Sequence, residues 1–239
     1  MPVFITDLAT FLPHAPAAGA FTHTNAQLAA EAVRRLHPCG GFTPDAIELL
    51  TCATSSPDQL GGHASMLRGE LGSPPCEIVA TAETCSCGMT AFNHAWMNVA
   101  RGRSGNAVAV GSARASSDLP ALLCGGAGAA FFTASRPAYR QALRVDWVDQ
   151  LSFVNEPESC LDTGAIKEES DDFRQELYDQ LRAIGFEIPA DKWNAGAASI
   201  YIILEELFHS GRLRIGDRLF CLIPETDRFS IGYMQLTVV

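Results

Sequence analysis

Twice along the chain a helix-spaced apolar segment leads into a short glycine-containing turn, a strand, a loop and a closing strand. The first set is a helix at 88–101 with strands at 106–112 and 127–134; the second is a helix at 197–210 with strands at 217–223 and 229–239. Strands that alternate with helices commit the chain to an α/β architecture, because parallel neighbours need a crossover between them. One order recurring at matched lengths reads as a degenerate internal duplication. The alternative is that α/β proteins repeat such units in any case.

Upstream of the first set, the pattern predicts a strand at 3–8, a Pro/Ala/Gly-rich loop through Gly19 and a helix over 24–36 with Thr24 or Asn25 as N-cap. A strand over 46–54, a helix over 63–71 and a strand over 77–82 follow. In the helix after Cys87, residues Met89, Phe92, Trp96 and Val99 fall on or near one face. The expected division is an N-terminal half, 1–140, and a C-terminal half, 141–239, fused as one unit.

Composition narrows the function. With 239 residues, 47% of them hydrophobic, the chain can bury a sizeable core. No run of 18 apolar residues is present, so no membrane span is expected. The first residues, MPVFITDLATFLPHAP, lack a basic signal region, which makes a cytoplasmic location the expectation. A net charge of −10 argues against a nucleic-acid partner. The eight cysteines do not suggest a disulfide framework, and Cys221, inside RLFCLIP, reads as a small packed hydrophobe.

Other motifs carry little. Cys85 and Cys87 with Cys76, Cys124 or His63 lack the paired spacing of a zinc site, so no metal is expected. GGAGAA at 125–130 lacks the Lys-Ser/Thr of a phosphate loop. The acidic run KEESDD reads as a solvated helix start. Arg34, Arg35, Arg101 and Arg103 are cations available for phosphates, but nothing singles them out.

Cys85 is the foremost candidate for chemistry. It follows an apolar strand and precedes a helix, and a helix start favours thiolate over thiol. The free N–H groups beyond it are suited to an oxyanion formed when a thioester carbonyl is attacked. The competing reading is a buried structural cysteine. If the halves are related, the start after Thr84-Cys85-Ser86-Cys87-Gly88 is matched by the one after Trp193-Asn194-Ala195-Gly196. Facing each other, the two would frame one pocket.

ETCSCGMTAFNHAWMNVARGR resembles the nucleophile segment of the β-ketoacyl-acyl carrier protein synthase III-like proteins of the thiolase superfamily. GGAGAAFFTAS resembles that family's Asp-Gly-Ala-Gly-Ala segment, with Gly125 in place of the Asp. WNAGAASIYIILEELFHSGRLRIGDRLFCLIPE resembles its C-terminal Gly-Asn-Thr-x-x-Ala-Ser segment. The resemblance implies a shortened thiolase-like fold, two related βαβ-type halves layered α-β-α-β-α. It implies Cys85 as nucleophile, Cys87 in a small-residue position, and Asn194 as the catalytic asparagine. The implied substrate is an acyl-CoA or acyl carrier protein thioester, with no bound cofactor, in fatty acid or polyketide-type biosynthesis. A dimer is implied, with itself or with another ketosynthase.

Two departures stand out. The family's His-bearing segment between the halves is matched here by a stretch without histidine, and none of His14, His23, His37, His63, His94 and His209 falls at that place. Retained Cys85 and Asn194 favour an acyltransferase; the missing histidine and Gly125 favour a catalytically incomplete partner subunit of an active ketosynthase.

Overall fold

The computed structural model describes residues 1–13, 23–37, 43–54, 62–72, 74–82, 87–114, 125–138, 140–152, 196–224 and 230–239. Its elements are β1 (Val3–Phe11), α1 (Asn25–Arg34), a 3-10 turn (Pro44–Ala46), β2 (Leu49–Thr54), α2 (His63–Glu70) and β3 (Glu77–Ala82). They continue with α3 (Cys87–Ala100), β4 (Asn106–Ala113), β5 (Gly126–Thr133), β6 (Leu143–Ser152) and a second 3-10 turn (Gly196–Ala198). The chain closes with α4 (Ser199–His209), β7 (Arg218–Pro224) and β8 (Ser230–Val238).

Eight strands form one mixed sheet in the order β3-β2-β4-β5-β1-β6-β8-β7. Strands β2, β3 and β4 are parallel, while β5 runs antiparallel to both β4 and β1. The order β4-β5-β1 is answered across the β1–β6 seam by β7-β8-β6, again with the middle strand antiparallel to both neighbours. The likeness reaches into the register. The β1–β5 ladder slips between Ile5 and Asp7, and the β6–β8 ladder slips between Val145 and Trp147. Each bulge inserts one residue and so reverses which face the following side chains take. That is why Ile5 and Leu8 share one core cluster despite their odd spacing, as do Val145 and Val148.

The central strands are covered on both faces, which explains their nearly unbroken apolar runs. Every residue of β2 is buried. On one face, Leu50, Cys52, Val108, Val110 and Ala129 pack under α1, with Leu67 of α2 in the same cluster. On the other, Ala107, Ala109, Ala130 and Phe132 meet Phe92, Ala95 and Val99 of α3 and Tyr201 and Leu204 of α4. The same cluster takes in Leu143 and Val145 of β6 and Met234, Leu236 and Val238 of β8, so α3 and α4 form the shared core of both halves of the sheet. Helices thus cover both faces of the central strands, with α3 and α4 packed against strands from both halves of the sheet.

Thr24 caps α1, with Gln27 closing the capping box; Asn25 is the first helical residue. Strand β6 was not expected. Its alternation of Leu143 and Val145 with Arg144 is broken by the bulge at Asp146, which hides the period of two. The acidic segment KEESDD lies outside the described residues. Among the described residues Cys52, Cys76, Cys87 and Cys221 form no disulfide, and Cys221 packs against the core as a small hydrophobe. Among the described residues no helix is long and apolar enough to cross a membrane.

Candidate active site

Parallel strands β2, β3 and β4 end on one edge of the sheet, at Thr54, Ala82 and Ala113, and α3 begins there at Cys87. In open α/β sheets the carboxyl ends of parallel strands are where ligands collect. Cys85 and Asn194 both lie outside the described residues. The described chain resumes two residues beyond each, at Cys87 and at Gly196.

The two helix starts meet. A Cβ placed on Gly88, in the first turn of α3, would overlap the carbonyl oxygen of Ala197 in the 3-10 turn before α4. A Cβ on Gly111 of β4 would overlap the same oxygen and stand 2.9 Å from the Tyr201 ring. Gly196 opens that turn at φ 51°, the left-handed conformation that favours glycine. Ala53, Cys87, Ala91 and Ala197 close a small apolar cluster around the junction. Small residues on every side let two backbone segments approach where larger side chains would hold them apart.

Tyr201 ties the junction together. It is fully buried, and its hydroxyl donates to the Gly88 carbonyl at 2.9 Å. Its Cβ occupies the space a side chain at Gly128 of β5 would need. Burial, followed by the nearby Cys87 and Cys52, holds its phenol well above the ordinary value, so the hydroxyl remains a donor. The Cys52 thiol, on β2, is pushed up to about 12 by burial first and by Cys87 second. Cys87 is wholly buried, consistent with a small packing residue beside the candidate nucleophile. Thr51 anchors the second turn of α3, its hydroxyl donating to the Ala91 carbonyl at 2.8 Å.

The described histidines have other surroundings. His23 stacks edge-on against Phe11. The His37 backbone N–H donates to Asp7. His63 is buried at the start of α2, and His94 lies partly exposed along α3. His209, at the far end of α4, has Nε2 3.2 Å from the Leu8 carbonyl. Arg34 pairs with Glu31 and reaches the Glu70 carbonyl; Arg35 donates to Thr10 and lies over the Phe11 ring. Arg101 and Arg103 are exposed just beyond the C-terminal end of α3. Gly125 stands immediately before β5.

Tyr201, Gly111, Gly128 and Ala197 were not foreseen as site residues. Tyr201 sits in the run IYIILEELF, where it passes for one more apolar residue. The strand glycines did carry a signal, since an isolated glycine inside a strand marks a close backbone approach.

No protein-family model matches the chain. No curated protein matches its sequence. Solved structures do match it in shape. The β-ketoacyl-[acyl carrier protein] synthase III of Thermus thermophilus aligns over 98% of this chain and 98% of its own, at 16% identity and TM-score 0.72. OleA of Xanthomonas campestris, solved with bound lauric acid and lauroyl-CoA, aligns over 99% of each chain at 18% identity and TM-score 0.75. AbyA1, a tetronic acid condensing enzyme, aligns over 98% of this chain and 99% of its own, at 16% identity and TM-score 0.74. The chain has the thiolase-like fold of these ketosynthase III-like proteins, as its sequence segments imply.

Proposed function

We propose that this protein is a ketosynthase III-like acyltransferase in which Cys85 carries the acyl group. The observation that supports this reading is the meeting of the two helix starts at Gly88 and Ala197, one preceded in sequence by Cys85 and the other by Asn194. The Cys85 thiolate attacks the carbonyl carbon of an acyl-CoA or acyl carrier protein thioester. Backbone N–H groups at the start of α3 hold the resulting oxyanion. Its collapse expels the carrier thiolate, which takes up a proton, and leaves the acyl group as a thioester on Cys85. In condensation, a malonyl-type thioester loses carbon dioxide, and its carbanion attacks the acyl carbonyl and releases the Cys85 thiolate. Asn194 donates an N–H to the acceptor's carbonyl oxygen as negative charge builds there.

OleA, solved with lauroyl-CoA, makes a twelve-carbon acyl-CoA the first donor to try. The test is release of free CoA thiol from lauroyl-CoA, with and without a malonyl thioester, for the unaltered protein, Cys85→Ala and Asn194→Ala. Release lost in Cys85→Ala, and raised by the malonyl thioester only when Asn194 is intact, supports the proposal. Release independent of Cys85 overturns it.

A second reading rests on the absence of histidine between the halves and on Gly125. In it, the chain pairs with a complete ketosynthase and shapes that partner's acyl pocket. A Cys85 that accepts no acyl group, in a protein that raises the turnover of an added ketosynthase, would favour it.

A further inference from the structure

We propose that Tyr201 is a positioning residue for the candidate nucleophile: its hydroxyl, bonded to the Gly88 carbonyl, fixes and polarises the first turn of α3, the turn that follows Cys85. This inference rests on the reading of Cys85 as nucleophile.

The space occupied by Tyr201 is apolar. Its ring lies in the cluster formed by Phe92, Phe132, Ile200 and Leu204, which a phenylalanine would fill equally well. Burying a hydroxyl there is costly unless it is hydrogen-bonded. The bond it makes is not one the backbone requires, because a first-turn carbonyl already serves the N–H four residues on. Two strands are also hollowed beneath it, Gly128 under the Cβ and Gly111 under the ring edge.

The partner position sharpens the argument. In α3, Met89 reaches across to β8, where a Cβ on Gly232 would stand 2.8 Å from the Met89 Cγ. In α4, Tyr201 reaches across to Gly128 of β5. These are reciprocal contacts: a residue early in each central helix rests on a glycine of the other half's antiparallel strand. Only the residue on α4 carries a hydroxyl, and its bond is made to the helix preceded by Cys85.

A donor on the Gly88 carbonyl draws charge through that peptide and makes the N–H of Met89 more positive. The N–H groups of a first helical turn set the potential felt by a thiolate just upstream. Removing the bond therefore weakens thiolate formation at Cys85 while leaving the packing in place.

The experiment measures the rate of Cys85 alkylation by iodoacetamide against pH, localised by peptide mass mapping, in the unaltered protein and in Tyr201→Phe. Alkylation at pH 7 is expected to slow about three- to tenfold, with the profile displaced to higher pH and the melting temperature changed by only a few degrees. Site-specific 3,5-difluorotyrosine at 201, a stronger donor with the same ring, is expected to displace the profile the other way. Should Tyr201→Phe fail to fold, the fluorinated protein decides alone. A profile at Cys85 that coincides with that of the unaltered protein overturns the proposal. Alkylation needs no acyl donor, so a Cys85 that never accepts an acyl group sinks the acyl-transfer reading and leaves this test standing.

Discussion

The carbonyl oxygen of Ala197 fills the space that a side chain on Gly111 would need. Neither backbone can yield cheaply, since Gly111 is inside the β2-β4-β5 ladder and Ala197 inside the turn that starts α4. Gly111→Ala is expected to destabilise the protein by about 3 kcal/mol, at the upper end of overpacking costs. Gly69→Ala is the contrast: Gly69 is exposed in α2 with no atom within 4 Å of its added Cβ, and alanine there should stabilise by about 0.5–1 kcal/mol. Urea unfolding of both variants checks the pair.

Gly232 and Met89 form a softer contact, because the methionine side chain is able to turn aside. Gly232→Ala should cost about 1–2 kcal/mol. In a double-mutant cycle with Met89→Ala, the combined loss should be smaller than the sum of the two single losses, since the shortened residue makes room. Strict additivity would show that the two side chains do not compete for that space.

Cys52 supplies a pH dependence. Its folded thiol is pushed up to about 12 from an ordinary 9.0, burial being the main cause. The unfolded thiol ionises first, so between pH 9 and pH 12 the folded state holds the extra proton. Stability is therefore full below pH 9 and falls as pH rises through that window, by about 1.4 kcal/mol per pH unit for this group. Unfolding free energies at pH 8, 10 and 11 should decline more steeply in the unaltered protein than in Cys52→Ala.

Local rules made much of the fold legible. The N-cap at Thr24, the face formed by Met89, Phe92, Trp96 and Val99, and the recurring helix-strand-strand order are all local patterns that packing preserved. The bulge at Asp146 concealed β6, since a single inserted residue flips the alternation on which a strand is recognised. Tyr201 was illegible for another reason. Its role depends on Gly88, 113 positions earlier, and no local pattern records which carbonyl a buried hydroxyl will find. The junction of helix starts, by contrast, was foreseeable once the two halves were taken as related.

Thr24→Ala removes the side-chain acceptor for the Gln27 N–H and should cost about 1 kcal/mol. Asparagine at 24 should restore most of it, because it offers an equivalent acceptor. Thermal unfolding of the two variants separates loss of the cap from loss of packing.

Intact-protein mass spectrometry after incubation with short- and medium-chain acyl-CoA thioesters tests the central claim most directly, with Cys85→Ala alongside. The account predicts an adduct of one acyl group that is mapped to the peptide carrying Cys85 and absent from the variant. Folded protein that takes up no acyl group from any thioester, or takes it up equally in Cys85→Ala, would contradict it.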